Sequence, residues 1–328
     1  MGDNLGVRFV LALAVVAACG QPAKKVEEPL PRPENPPPID KPVPPKRPAR
    51  VTFSVGPSPT SIAIRGAELF WTDSAGSIWT MSSTGGTPRQ LSDQRSPDFA
   101  FKLVAAGDTV IGSTRKDLLR VAETVTKLNI RGLVEYPEEI VADEAFVYVT
   151  MFKKSQIMRI PVGGGTAQQI GDLPRGVLAV HGDTVYAASY STGVIVAIPK
   201  AGGKPRTIAK GLVRPTALAA DDTHAFVYSE KEHTLKSIEL ASGAATVIAK
   251  NLVNSDELIA DGPWLYTRSW DKGTVGSLVR VAKDGSSQTQ LATDLAAPYN
   301  IAFDADAIYV TARDGAQIVR FEKAAIAP

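Results

Sequence analysis

Along residues 51–328 the apolar positions fall in short runs broken by glycine, proline and aspartate, and no stretch keeps a helical period long enough for a helix. The runs recur. "TMSSTGGTPRQL" from Thr80, "RIPVGGGTAQQI" from Arg159 and "AIPKAGGKPRTI" from Ala197 each read as an apolar run, a glycine turn and a polar run closing on an aliphatic side chain. Aligned on their first residue, further copies begin at Arg120, Ser237, Arg280 and Arg320, about 40 residues apart. A second track of apolar strands centres on Phe70, Ile111, Tyr148, Tyr186, Tyr228, Tyr266 and Tyr309. A third opens most units, as in "SPTSIAI", "YPEEIVAD", "RPTALAAD" and "APYNIAFD".

Seven units of four short strands, repeating at this length, predict an all-β, seven-bladed β-propeller with four antiparallel strands per blade. The glycines belong to the hairpin between the third and fourth strands, where a tight turn requires positive φ. The last unit lacks a fourth strand, whereas "RVTFSVG" (Arg50 to Gly56) is a strand without a unit. Pairing it with Gln317–Phe321 would seal the ring and remove an exposed edge.

Composition narrows the function classes. The 328 residues are 44% apolar and 21% charged with a net charge of +2, enough for a sizeable core. Residues 21–50 hold seven basic side chains against four acidic ones, so the rest of the chain is close to neutral. A nucleic-acid partner is not expected, because the folded part lacks a basic excess. Nothing in the pattern asks for a second copy, and a monomer is expected.

The N-terminus carries an address. Phe9 to Ala18, "FVLALAVVAA", follows Arg8 and is too short to span a bilayer. It matches the apolar core of a secretory signal peptide, residues 1–18. The run ends in "VAAC", and Cys19 is the sole cysteine of the chain. This resembles the lipobox of bacterial lipoproteins, which implies an acylated Cys19, membrane attachment through that lipid, and the cell envelope as location. Gly20, where an aspartate would imply inner-membrane retention, points to the outer membrane, facing the periplasm or the cell surface. Residues 21–50 hold 11 of the 24 prolines. Residues 19–50 are therefore expected to be the lipidated cysteine followed by a disordered, semi-rigid tether reaching on the order of 90 Å. A proline-rich docking motif is the other reading of that segment. Residues 51–328 form the propeller domain.

"FWTD" at Phe70–Asp73 resembles the element that names the YWTD propellers, and the "P-x-x-I-A-x-D" openings resemble NHL and gluconolactonase-type propellers. The likeness implies fold but no activity. Loops from fourth to first strand and from second to third share one face, here called the top, around the channel. The first set brings Asp98, Glu138, Glu139, Arg175, Arg214, Asp256, Glu257, Tyr299 and Asn300 there. The second brings Trp71, Arg115, Phe152, Lys153, Tyr190, Glu232, His233, Trp270, Lys272 and Arg313.

Trp71, Arg175, Tyr190, Trp270 and Tyr299 are the candidate ligand-binding residues, with packing between blades as the other role for Trp71, Tyr190 and Trp270. Glu139, Glu257 and Asn300 share one position of the unit opening. They are candidate ligands for calcium or another hard divalent cation, with loop charge in ion pairs as the alternative. Gluconolactonase-like propellers imply a similar carboxylate-and-asparagine site. His181 and His224 fall on the bottom face and His233 on the top, so no histidine cluster is expected. Virginiamycin-lyase-like propellers imply one top-face histidine, a part for which His233 is the candidate.

The leading expectation is a non-catalytic binding scaffold that needs no cofactor and takes a protein or a small molecule on its top face. A divalent-metal-dependent lactone hydrolase or lyase, and a scaffold for envelope assembly, are the alternatives.

Overall fold

The computed structural model describes residues 50–93, 101–133, 137–151, 153–271, 273 and 275–326. Cys19, the signal segment and the proline-rich tether up to residue 49 lie outside the described residues, as do Asp98, Phe152 and Lys272. Among the described residues the chain forms seven four-stranded antiparallel sheets arranged as propeller blades. Blade one is Pro59–Arg65, Glu68–Asp73, Ile78–Ser82 and Arg89–Ser92, paired in chain order from the channel outward.

Both faces of a blade are buried, which is why the second strands read as nearly continuous apolar runs. In Glu68–Asp73, Phe70 packs toward blade two with Leu103 and Val110, whereas Trp71 packs toward blade seven with Tyr309 and Ile318. The clusters lie between blades: Tyr148, Ile157 and Ile170 of blade three meet Leu178, Val185 and Ile198 of blade four. No blade has a core of its own.

The ring closes as the sequence predicts. Arg50–Ser54 pairs antiparallel with Gln317–Glu322 as the outermost strand of blade seven, Arg50 opposite Phe321 and Ser54 opposite Gln317. Val55 is buried, its amide donating to the Ala316 carbonyl at 3.0 Å. The Arg50 guanidinium donates to both Asp294 carboxylate oxygens on blade six, at 2.6 and 2.8 Å. Gly202 and Gly203 of the repeated hairpin have φ of 87° and 136°, a backbone that side-chain-bearing residues rarely adopt.

The bottom face adds an ordered set of clasps. Asp143, Asp221 and Asp304 directly follow first strands, and each accepts two amides of its own turn. Asp221 takes those of Thr223 at 3.0 Å and His224 at 2.9 Å. Tyr148 and Tyr309 donate their hydroxyls to Asp143 and Asp304 at 3.0 Å. A lysine just past the third strand then reaches back to the preceding blade. Lys200 meets Asp143 at 2.6 Å, Lys283 meets Asp221 at 2.8 Å, and Lys323 meets Asp261 at 2.6 Å. Burial opposes the charge on Asp221, but Lys283 and the two turn amides outweigh it and hold the carboxyl at about 2.

Two outcomes follow from closure and clasp. Deleting residues 50–55 is expected to expose the edge of blade seven, broaden the thermal transition and lower Tm by on the order of 10 °C; an unchanged, equally cooperative melt contradicts closure. Asp221→Asn is expected to lose about 1 kcal/mol at pH 7. A depressed carboxyl stabilises the fold above its unfolded pKa, and that contribution disappears as pH falls from about 4 toward 2. Urea melts of both chains at pH 7 and pH 2.5 should therefore differ clearly at the first pH and by less than half as much at the second.

Candidate functional site

The seven innermost strands each have a ladder partner on one side, and their other sides enclose a central channel of about 1160 Å³. Its lower wall is mostly apolar, with Ile64, Val104, Ala142, Ala260 and Phe303. Its top mouth is crowded with charge. Lys102, Glu138, Glu139, Arg175, Arg214, Glu230, Asp256 and Glu257 all line it, with Tyr190 and Tyr299.

The unit openings explain how so many polar side chains arrive there. Pro59, Pro137, Pro215 and Pro298 begin their strands, where a missing amide donor is tolerated. Each is followed by a register shift against the second strand, at Pro137/Glu139, Pro215/Ala217, Pro59/Ile62 and Pro298/Ile301. Such a bulge inserts extra residues and re-aims them. The inserted residues include Glu138, Thr216 and Tyr299, all on the channel wall. A second device fixes the neighbouring loop. The residue opening the second-to-third-strand loop donates its amide to the residue just before or at the start of the first strand, Tyr190 to Arg175 at 3.0 Å and Glu230 to Arg214 at 3.1 Å.

The charges are paired, some across to the next blade and some within one. Lys102 of blade two bonds Glu139 of blade three. Arg175 of blade four donates its Nε to Glu138 Oε1 of blade three at 2.7 Å. Arg214 meets Glu230 at 2.6 Å within blade five. Arg268, only 4% exposed, is bonded to Asp256 and donates to the Asn254 carbonyl at 2.9 Å. Burial works against the charge on Lys102, yet the Glu139 and Glu257 carboxylates outweigh it and raise the ammonium above its ordinary value. Burial likewise pushes the Glu257 carboxyl up, with Lys102 opposing and Asp256 and Glu139 reinforcing the rise. The Tyr190 phenol is pushed up to about 12, first by burial and then by Glu139 and Glu138.

The structure therefore brings Glu139, Glu257, Arg175, Tyr190, Tyr299 and Asn300 to one channel. It does not bring the tryptophans. Trp71 is fully buried in the second strand of blade one, packed against blade seven, so its ring is not on the rim. Trp270 is 8% exposed and lies under Arg313, which also stands over Tyr299 at 5.5 Å from each ring. Arg268 stands over the same Tyr299 ring, also at 5.5 Å.

The three proposed metal ligands are otherwise engaged or apart. Asn300 is buried and its Oδ1 accepts the Ile62 amide of blade one at 2.9 Å, stapling blade seven to blade one. Ser61 does the same for blade two, accepting the Leu103 amide at 2.9 Å. Glu139 is held by Lys102. Among the described residues no group of three or more His, Cys, Asp or Glu side chains is gathered as a metal site. His233 has its Nδ1 at 3.1 Å from the Leu252 carbonyl, and His181 at the bottom pairs with Asp222 at 2.8 Å.

No protein-family model matches the sequence. No curated protein matches it either. Solved structures do. Virginiamycin B lyase from Staphylococcus aureus superposes with a TM-score of 0.68 at 14% identity, over 84% of this chain and 98% of that one. A catalytically inactive histidine-to-alanine variant of that lyase, crystallised with quinupristin, gives the same TM-score and identity over 84% of this chain and 99% of that one. The computationally designed protein Ika8 matches at 0.58 with 12% identity, covering 82% and 98%. The likeness is one of fold.

The shared lysine sets an order among variants. Lys102→Met leaves two carboxylates without their cation and is expected to lose about 2–3 kcal/mol at pH 7. Glu257→Gln is expected to be neutral or stabilising there, because a carboxyl raised by burial stabilises the fold only while protonated and that contribution fades as pH rises. Urea unfolding of the variants at pH 7 checks the order, and a Glu257→Gln chain less stable than Lys102→Met contradicts it.

Proposed function

We propose that the protein is a non-catalytic binding propeller, carried on a lipid anchor at Cys19 and presenting its channel mouth to a protein or small-molecule ligand. The observation that carries this reading is the paired state of the mouth. A divalent-metal-dependent hydrolase or lyase needs oxygen ligands free to gather on one ion. Here Glu138, Glu139, Glu230 and Asp256 each hold a cation, and the Asn300 carbonyl oxygen holds an amide.

What the mouth offers instead is contact surface. Arg175 and Arg214 keep 53% and 54% of their side-chain exposure, and Tyr299 keeps 39%. Arginine and tyrosine dominate interface energetics, and a ring braced by guanidinium groups loses little freedom on binding. The lyase neighbours support the fold of this reading and no more. Membrane attachment rests on "VAAC" at the end of the apolar run and on the proline-rich segment that follows. Gly20 supports the outer membrane of a bacterial envelope, where a role in assembly would use the same face.

Two experiments test the two halves. Cys19→Ser is expected to move the protein from the membrane fraction to the soluble one, and continued sedimentation with membranes contradicts the anchor. Crosslinking in cells with the full chain is expected to capture a partner that an Arg175→Glu, Tyr299→Ala double variant loses. Equal capture by the variant contradicts the top face as the binding surface.

A further inference from the structure

The outer edges of the blades are not alike. The fourth strand of a blade leaves one row of backbone N–H and C=O groups without a ladder partner, a template on which another strand can add. Among the described residues, the fourth strands of blades one, three, four, five and six each carry a register shift against the third strand. Such a bulge bends an edge away from an incoming strand. The fourth strand of blade two, Val125–Lys127, is three residues long and ends in a lysine. Arg50–Ser54 has neither defence. It runs in unbroken register from Arg50 opposite Phe321 to Ser54 opposite Gln317, and no described strand pairs with its other side. Its one charged side chain is already held by Asp294. The regularity has a cause: this strand comes from the opposite end of the chain to the three it completes, so it does not carry the bulge of the repeat.

We propose that two copies of the protein join through this edge, blade seven to blade seven, as an antiparallel two-fold dimer. The edge is complementary to itself. The Val55 amide donates to Ala316, the residue before Gln317, so by the alternation of an antiparallel ladder Val51 and Phe53 turn their backbone groups toward Gln317–Glu322. Arg50, Thr52 and Ser54 then turn theirs outward. A two-fold axis at Thr52 sets Thr52 opposite the partner subunit's Thr52, Val51 opposite the partner subunit's Phe53, and Arg50 opposite the partner subunit's Ser54. Threonine pairs and aromatic–β-branched pairs are favourable across strands, and no like charges meet. Arg50, Val51, Thr52 and Ser54 are exposed and Phe53 is half-buried, so the strand can be reached without rearrangement. Each copy spends its edge once, which closes the assembly at two. The pairing makes no use of the channel mouth and is independent of the binding reading above. The pattern of the sequence alone leads to a monomer, because the missing bulge shows only in the register.

The test is sedimentation of the purified full chain over a range of concentrations. A reversible monomer–dimer equilibrium is expected, with nothing larger. Val51 is 42% exposed, so Val51→Lys is expected to melt with the parent. The lysine stands opposite the partner subunit's Phe53 at two places in the dimer, and association is expected to weaken by about tenfold. Thr52→Cys brings two thiols onto one rung, with Cα atoms about 5.5 Å apart, a separation that a disulfide bridges. Mild oxidation is expected to give a reducible dimer of that variant. The parent chain, and Thr246→Cys on the exposed but bulged outer strand of blade five, are expected to give none. Three results overturn the proposal: a chain that stays monomeric throughout, association that Val51→Lys leaves unchanged, or crosslinking at Thr246 as strong as at Thr52. A monomeric chain whose blade-seven edge still takes up a strand of another protein also overturns it, in favour of that other occupant.

Discussion

A four-stranded blade that is apolar on both faces has no stable existence by itself, and this constraint shapes everything else in the molecule. Each blade buries its two faces only against two neighbours, so the chain must form a ring, and a ring must be closed. Closure falls to Arg50–Ser54, which supplies blade seven with its outer strand and joins the first described residues to the last strand of the fold. Burial of apolar surface is the driving term, but it is non-directional. Polar devices laid over it fix how one blade sits on the next: the Asp294–Arg50 pair between blades six and seven, the Asn300 and Ser61 staples at the top, and the lysine–aspartate clasps below.

The two ends of the channel differ because the strands start and finish differently. At the bottom, aspartates close tight turns with their own amides and pair with lysines of the next blade, which uses up their charge in holding blades together. At the top, proline-led bulges turn polar side chains toward the channel, where most of the charged ones pair with one another. Lys102 feels both the Glu139 and Glu257 carboxylates there and gives its hydrogen bond to Glu139. The polar lining at that end is thus in part a by-product of how the proline-led first strands begin.

Much of this is legible in the sequence because repetition exposes it. Strand number, blade number and the orphan strand all follow from the spacing of "RIPVGGGTAQQI" and its copies, since a strand and its turn are local features. The position of Trp71 was not legible. Alternation assigns a strand residue to a face only when one face is wet, and with both faces buried "ELFWTD" reads equally well as core or rim. The metal trio illustrates a different limit. Glu139, Glu257 and Asn300 do reach the channel, but their partners, Lys102 and the Ile62 amide, lie on other blades and are set by inter-blade packing. The bottom clasps left a signal that only the repeat alignment discloses, a lysine at the same offset in Lys200, Lys283 and Lys323. The bulges left one too, the proline that opens "YPEEIVAD" and "RPTALAAD".

Hydrogen exchange of the native chain tests the closed ring most directly. If Arg50–Ser54 is the fourth strand of blade seven, its ladder-facing amides exchange as slowly as those of Gln317–Glu322 and lose protection with them, in one cooperative unit. Exchange of residues 50–54 at the rate of an unstructured segment, while Gln317–Glu322 stays protected, would contradict it.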